Sequence, residues 1–462
     1  MRASLSFHGG AGTVTGSRHL LTTESATVLV DAGLFQGLKR LRELNWRAPT
    51  FDPAAVDHLL LTHAHIDHAG YLPRLAKNGY AGPIHCTTAT FDLARLLLLD
   101  AAKIQEEDAR YANKRGFSKH RPALPLYTTA DAERVFTLMQ PVEYGHWIEL
   151  GRDVRARFLN VGHILGSAMV EVRYGDQTIV FSGDVGRYDV PLHSDPDPLP
   201  ACDALVVEST YGDRTHGDTT MEEQIREPIQ RTLERGGTVL IPSFAVGRSQ
   251  LVTLHLRSLM NEGALPELPI HLDSPMAVNA TRIYSKHIGD LSLDDELTDD
   301  GRNRLFPHNV QFHRSVEESK DLCTLDGPRI IISASGMLTG GRVLHHLKRL
   351  LPDDKNLILM VGYQAAGTRG RKMLEGAQSI RIHGQDIGVR ADFHCVSGLS
   401  AHADRGELMR WVGSAPEDER PRTIFVTHGE PKASAAFATL LQTELGVRTI
   451  TPELDQSFEL AE

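Results

Sequence analysis

Directly after a short apolar run, His58–Leu61, the chain reads Thr62-His63-Ala64-His65-Ile66-Asp67-His68, three imidazoles and a carboxylate within six residues. On an extended segment, side chains two positions apart point the same way. His63 and His65 can therefore offer nitrogens to one cation, and a turn after them can carry Asp67 and His68 to a neighbouring one. Four such groups at a strand end would be stripped of water without compensation if no cation were present. Nitrogen-rich ligation with a few carboxylates suits zinc, whereas magnesium prefers oxygens. The bland alternative is a solvated polar loop. Two cations need more ligands than this segment supplies. His163, in Asn160–Ser167, and Asp184, in Phe181–Gly186, each follow an apolar strand and sit beside glycines. His428, in Phe425–Glu430, repeats that local design near the other end of the chain.

The chain has 462 residues, a length that at roughly 150 residues per domain suggests two or three domains. Its net charge of −10 argues against coating nucleic acid through bulk positive charge, though a local basic groove is still allowed. The four cysteines, Cys86, Cys202, Cys323 and Cys395, are widely spaced, which excludes a Cys-x-x-Cys ribbon and offers no disulfide framework. No window is apolar for long enough to span a membrane, and the first residues run into glycines without an apolar signal core. The expected compartment is the cytoplasm, with no membrane partner.

Hydrophobic periodicity predicts an N-terminal part that mixes strands and helices. Strands are expected at Ala26–Val30 and His58–Leu61, helices over Gly70–Asn78 and Thr88–Ala112, and a hairpin from Ala168–Tyr174 and Thr178–Phe181. Lys114–Pro125 reads as a basic surface loop and Leu192–Pro200, rich in Pro and Asp, as a linker. After it the alternation is stricter. Apolar strands Ala204–Val207, Thr238–Ile241, Ile270–Leu272, Arg329–Ile332 and Leu357–Val361 are separated by helices such as Thr219–Arg235 and Gly247–Met260, the pattern of a parallel sheet covered by helices. Asp290–Gly301 reads as an acidic exposed loop. Beyond Gln378 shorter, mixed strands return, ending in a helix near Lys432–Glu444.

With these strings the chain strongly resembles the metallo-β-lactamase-fold nucleases of the β-CASP group, the RNA-processing branch that includes bacterial and archaeal relatives of the polyadenylation cleavage endonuclease. The motifs are Leu29–Gly33 (LVDAG), His63–His68, His163 and Asp184, then Glu208 (in VESTYG), His402 (in SAHAD) and His428. Further family-like strings are Pro242–Gln250, Asp273–Ala277, Ser335–His346 and Gly362–Arg371. The resemblance implies an α/β protein, a four-layered αββα metallo-β-lactamase sandwich with an inserted parallel-sheet β-CASP domain. The boundaries expected are residues 1–208, 209–378 and 379–462.

The same resemblance implies two zinc ions, one held by His63, His65 and His163, the other by Asp67, His68 and His428, with Asp184 bridging. Asp31 would support a ligand or serve the fold alone. The metals would activate water for in-line attack on phosphorus, with Asp67 also orienting that water or accepting its proton. His402 is the implied general acid for the leaving ribose oxygen, held protonated by Glu208. Ser400 would bind a substrate phosphate or make a loop hydrogen bond. Products would carry a 5′-phosphate and a 3′-hydroxyl.

The expected substrate is single-stranded RNA, cut endonucleolytically. RNA is favoured over DNA because the DNA-directed branch commonly has Val at the position of His428. Arg248, Arg342, Lys348, Arg349, Arg369, Arg371 and Lys372 are the candidate contacts to a phosphate backbone, two or three of them being expected to serve. Family analogy also allows a homodimer. A small-molecule hydrolase of the glyoxalase or lactamase kind is the alternative enzyme; a non-catalytic RNA-binding subunit of a processing complex is the alternative outside catalysis.

Overall fold

The computed structural model describes residues 2–460 apart from 117, 119, 218, 294–308, 363, 365–366 and 397–399. The chain divides into two compact units, Met1–Thr215 with His402–Glu462, and His216–Ala401. The second is thus an insertion in the first.

The first unit is built on two seven-stranded sheets. One runs in the order Gln456–Leu460, Ala3–Gly9, Arg18–Thr23, Thr27–Val30, His58–Leu60, Ile84–Thr87, Met139–Val142. The other runs Arg448–Ile450, Thr423–Val426, Ala204–Val207, Gln177–Phe181, Ala168–Tyr174, Val154–Asn160, Ile148–Gly151. Alternation along the strands explains the layering. Leu5, Phe7, Val28 and Val30 of the first sheet meet Ala156, Phe158, Val170 and Val172 of the second in one apolar core. The intervening residues of the second sheet, Met169, Val180, Leu205 and Val207, turn outward and pack beneath helices Arg405–Val412 and Pro431–Leu445 through Leu408, Trp411 and Phe437. The long helix Thr88–Arg115 packs against strands Ile84–Thr87 and Met139–Val142 of the first sheet. The C-terminus closes the layer, because Gln456–Leu460 pairs antiparallel with Ala3–Gly9, Phe458 opposite Leu5.

The inserted unit carries a six-stranded sheet, all parallel, in the order Val310–Phe312, Ile270–Leu272, Arg329–Ser333, Thr238–Pro242, Leu357–Met360, Asp392–Cys395. Its four inner strands are buried on both faces, as packing between helices requires. Val239 and Ile241 face helices Met221–Glu234 and Arg248–Asn261, while Leu240 faces Val316–Thr324 and Val343–Leu350.

Three sequence expectations are corrected. Leu192–Pro200 is not a linker between units: Leu192 and Leu199 are buried, Asp197 accepts the Asn160 backbone N–H at 2.9 Å, and the Trp411 indole donates to the Asp197 carbonyl at 3.0 Å. The inserted unit ends at Ala401, not at 378, because strand Asp392–Cys395 pairs with Leu357–Met360 and the hairpin Ser379–Ile382 with Gln385–Gly388 precedes it. The first unit extends to Thr215 before the insertion, past the expected 208. Residues 294–301 of the acidic stretch lie outside the described residues. Among the described residues no helix is long and apolar enough to cross a membrane.

Candidate metal centre

The centre is assembled where strands of both sheets of the first unit end. In the first sheet Thr27–Val30 and His58–Leu60 run parallel and adjacent, so Asp31 and the Thr62–His68 segment emerge side by side. In the second, Gln177–Phe181, Ala204–Val207 and Thr423–Val426 are parallel neighbours and deliver Asp184, Glu208 and His428 just beyond their ends. His163 follows Val154–Asn160.

Asp31 and His428 adopt φ values of 63° and 45°, a left-handed region that residues other than glycine seldom occupy. Their surroundings hold them there. Asp31 accepts the Thr62 backbone N–H at 2.8 Å and the Nδ1 of His68 at 2.7 Å. The His428 backbone N–H is held by the Gly10 carbonyl at 2.6 Å. Once His68 Nδ1 donates to Asp31, its Nε2 is left with a lone pair facing the centre, the way a carboxylate orients a ligating imidazole. Gly33 explains part of the LVDAG string: a Cβ there would lie 1.6 Å from the Asp67 carbonyl oxygen, so only glycine lets this backbone lie against Asp67 and His68.

Two groups of potential ligands result: His63, His65, His163 and Asp184, and Asp67, His68 and His428. In the first, His65 Nδ1 is 3.1 Å from His63 Nε2 and 3.2 Å from His163 Nε2. In the second, His68 Nε2 is 3.2 Å from His428 Nε2, which stands 3.5 Å from Asp67 Oδ2. Asp184 lies between them. Its Oδ2 is 3.4 Å from His63 Nε2 and 3.5 Å from His163 Nε2, and its Oδ1 is 3.1 Å from His68 Nε2. Although buried, Asp184 Oδ1 has no hydrogen-bond partner among the described residues. One imidazole nitrogen placed between two others cannot satisfy both by hydrogen bonding. Converging nitrogen lone pairs beside an unsatisfied buried carboxylate oxygen fit divalent cations.

The shifts at His63, His65, His163 and Asp184 agree with that fit. Burial pushes His63 down to about 3 and His65 to about 4, and holds His163 well below its ordinary value. For Asp184, burial works against the charged form, but the surrounding imidazoles outweigh it and hold the carboxyl well below the usual range. For His68, burial is outweighed by Asp184 and Asp31, which raise it.

A third group, Asp184, Glu208 and His402, adjoins these. His402 Nδ1 is 2.9 Å from Glu208 Oε1. That carboxylate is itself fixed by the backbone N–H groups of Val185 at 2.8 Å and Thr210 at 3.1 Å. His402 is held by a bridge to Gly186 and by the Ala403 N–H on the Val185 carbonyl at 2.8 Å. A Cβ on Gly186 would lie 2.1 Å from the Gly162 carbonyl oxygen, so glycine is required where this backbone lies against Gly162 and His163. Burial would lower His402, but Glu208 and Asp184 outweigh it and push the imidazole up to about 9.

Every histidine and carboxylate singled out in the sequence, from Asp31 to His428, thus converges within one unit. Ser400, half-buried, closes the inserted unit and is not part of this cluster's unit. Sequence reasoning missed Thr62 and Thr210. Thr62 Oγ1 lies 3.1 Å from His63 Nδ1, and Thr210 Oγ1 3.2 Å from His428 Nδ1, so each hydroxyl helps to orient an imidazole of the cluster. Both stand inside the motif strings, which was the available signal. The candidate arginines make bonds within the inserted unit. Arg369 donates to the carbonyls of Arg381, Leu338 and Thr339, Arg349 to those of Cys323 and Leu325, and Arg248 to that of Val361. Arg342 binds Asp273 at 2.7 Å, and Arg371 binds Glu375 at 2.7 Å. These guanidinium groups tie the inserted unit together.

Residues 12–212 match the Metallo-beta-lactamase superfamily, 249–373 the Beta-Casp domain, and 386–452 the Zn-dependent metallo-hydrolase RNA specificity domain. The chain is 37% identical over 439 residues to Ribonuclease TTHA0252 of Thermus thermophilus, covering 94% of each protein. The chain belongs to the β-CASP group of the metallo-β-lactamase superfamily. Within that group it is also 34% identical over 467 residues to the transcription termination factor FttA of Pyrococcus horikoshii, spanning 96% of this chain and 69% of that protein. A solved structure of a protein of unknown function from Enterococcus faecalis shares the fold, with a TM-score of 0.56 at 14% identity and full coverage of both chains. As a β-CASP protein the chain is a metallo-hydrolase by family, and its His/Asp cluster could bind metal.

Proposed function

We propose that this β-CASP protein is a zinc-dependent ribonuclease that hydrolyses phosphodiester bonds of single-stranded RNA. The observation that carries the reading is the placement of Asp184 between two imidazole-rich ligand groups, with His402 beside it and held by Glu208. The ribonuclease among the relatives and the RNA-specificity match at residues 386–452 support RNA as the substrate class.

His63, His65 and His163 would hold one zinc ion, and Asp67, His68 and His428 a second, with Asp184 shared. When bound, such ions lower the pKa of water and neutralise charge gathering on phosphoryl oxygens. The chain's own groups supply the rest. Asp31 holds His68 in the tautomer that turns Nε2 to the centre. Asp67 orients the attacking water or takes its proton. His402 keeps its Nδ1–H on Glu208, which leaves Nε2–H to protonate the departing ribose oxygen. Glu208 cannot swing away, because Val185 and Thr210 hold it. The products carry a 5′-phosphate and a 3′-hydroxyl.

The test is cleavage of end-labelled single-stranded RNA beside matched DNA, with and without a chelator. RNA cut only in the metal-loaded sample supports the reading; equal cleavage of the DNA, or cleavage that survives complete metal removal, overturns it.

A further inference from the structure

The inserted unit holds a second cluster of titratable groups that shares no residue with the metal centre. Asp273, fully buried after strand Ile270–Leu272, is its hub. Its Oδ2 accepts the Ser319 hydroxyl at 2.7 Å and faces His346 Nε2 at 2.7 Å, and its Oδ1 accepts Arg342 at 2.7 Å. The imidazole of His346 is buried on helix Val343–Leu350, and its other nitrogen, Nδ1, lies 3.4 Å from the Sγ of Cys323. The order is carboxylate, imidazole, thiol, each in hydrogen-bond reach of the next. That is the arrangement by which a base oriented by a third group activates a nucleophile.

Cys323 sits in the last turn of helix Val316–Thr324, whose negative end would disfavour a thiolate. Arg349 offsets that end by donating to the carbonyls of Cys323 and Leu325 while pairing with Asp326 at 2.7 Å. Burial would lower His346, but its bonds to Asp273 and Cys323 outweigh it and raise the imidazole to about 9. Cys323 is half-buried, so a small molecule can reach it. The other thiols make the contrast. Cys86 and Cys202 are buried, and burial raises both, Cys202 to about 12. Cys395 is the exposed cysteine, and desolvation raises it too.

We infer that Cys323, backed by His346 and Asp273, is a nucleophilic thiol that exchanges with low-molecular-weight disulfides, making the inserted unit a site of reversible S-thiolation. The Cys323 sulfur attacks one sulfur of the disulfide, the new Sγ–S bond forms as the S–S bond breaks, and the second thiolate leaves with the electron pair. The proton of the Cys323 thiol passes through His346 Nδ1 to that leaving thiolate. A thiol and a disulfide thus give a mixed disulfide and a thiol, with no net oxidation. Exposure alone would rank Cys395 ahead of Cys323; the relay reverses the order.

The experiment treats the whole metal-loaded protein with oxidised glutathione near neutral pH, quenches with acid at intervals, and reads each cysteine by peptide mass spectrometry. Cys323 is expected to acquire the adduct at least about tenfold faster than Cys395, to release it with dithiothreitol, and to lose its advantage in concentrated urea. His346→Gln, checked for folding by circular dichroism, should bring Cys323 down toward the rate of Cys395. Should that variant not fold, the wild-type ratio of Cys323 to Cys395, native against unfolded, decides alone. A native Cys323 no faster than Cys395, or a folded His346→Gln protein with the wild-type rate, overturns the inference.

Discussion

His402 and Glu208 are 194 residues apart in the chain, yet Nδ1 of one lies 2.9 Å from Oε1 of the other. The insertion of a whole unit between them leaves the pair intact because both belong to the first unit, one at the end of strand Ala204–Val207 and the other just ahead of helix Arg405–Val412. Their separation in sequence and contact in space set an imidazole–carboxylate pair beside the ligand cluster.

His402→Ala should therefore keep its metal and lose turnover. The expected drop in single-turnover cleavage is about 10²–10⁴-fold, the range for a lost general acid. Elemental analysis of the same sample should find wild-type metal content. Glu208→Gln should fall between the two, since the imidazole stays but loses its counter-charge. Unchanged turnover in His402→Ala would remove the role.

Asp184→Ala and Gly33→Ala should both deplete metal, for different reasons. The first removes the oxygen pair placed between the two ligand groups. The second forces the backbone of Asp67 to move, because a Cβ would lie 1.6 Å from its carbonyl. Metal titration followed by calorimetry would show weakened binding in each.

Metal removal should lower the melting temperature of the first unit. A ligand that binds only the folded chain adds about 4 kcal/mol at a thousand times its dissociation constant. Scanning calorimetry before and after dialysis against a chelator measures the shift, and re-addition of zinc should restore it.

The pair His346 and Asp273 gives the inserted unit a pH-dependent stability with a defined sign. His346 rises from 6.5 in the unfolded chain to about 9 when folded. Its contribution is present in full below 6.5 and is lost as pH climbs through about 9. Asp273 is depressed: burial would raise it, but its bonds to His346, Ser319 and Arg342 outweigh this, so its contribution holds above 3.8 and disappears as pH falls below that value. Urea denaturation at pH 6.5 and pH 9.5 should show a larger loss for the wild type than for Asp273→Asn/His346→Gln.

Arg369→Ala should destabilise the inserted unit by about 1–3 kcal/mol, because three carbonyls lose their donor. RNA affinity and its salt dependence should change little. A flattened salt slope would instead assign the guanidinium to a phosphate.

The residues of the metal centre were legible because their chemistry is concentrated in short strings at strand ends, where turns and glycines announce a close approach. His63, His65, Asp67, His68, His163, Asp184 and His428 were readable in this way, whereas Asp31, Glu208 and His402 were singled out by the family resemblance. The end of the inserted unit was not legible. Its last strand, Asp392–Cys395, is a polar edge strand paired on one side only, so it lacks the apolar run that marks a buried parallel strand. The work of the arginines was equally hidden, because a sequence records a guanidinium but not the carbonyl it serves. Thr62 and Thr210 were in view and passed over, since a hydroxyl that orients an imidazole leaves no pattern of its own.

The central claim is that distant parts of one unit converge on two adjacent cations and cut RNA with them. Native mass spectrometry of the zinc-loaded chain, run beside cleavage of single-stranded RNA by the same sample, tests it most directly. The account predicts two ions per chain and cleavage that disappears when they are removed; a folded chain that takes up no ion pair, or that carries both ions and leaves RNA intact, would contradict it.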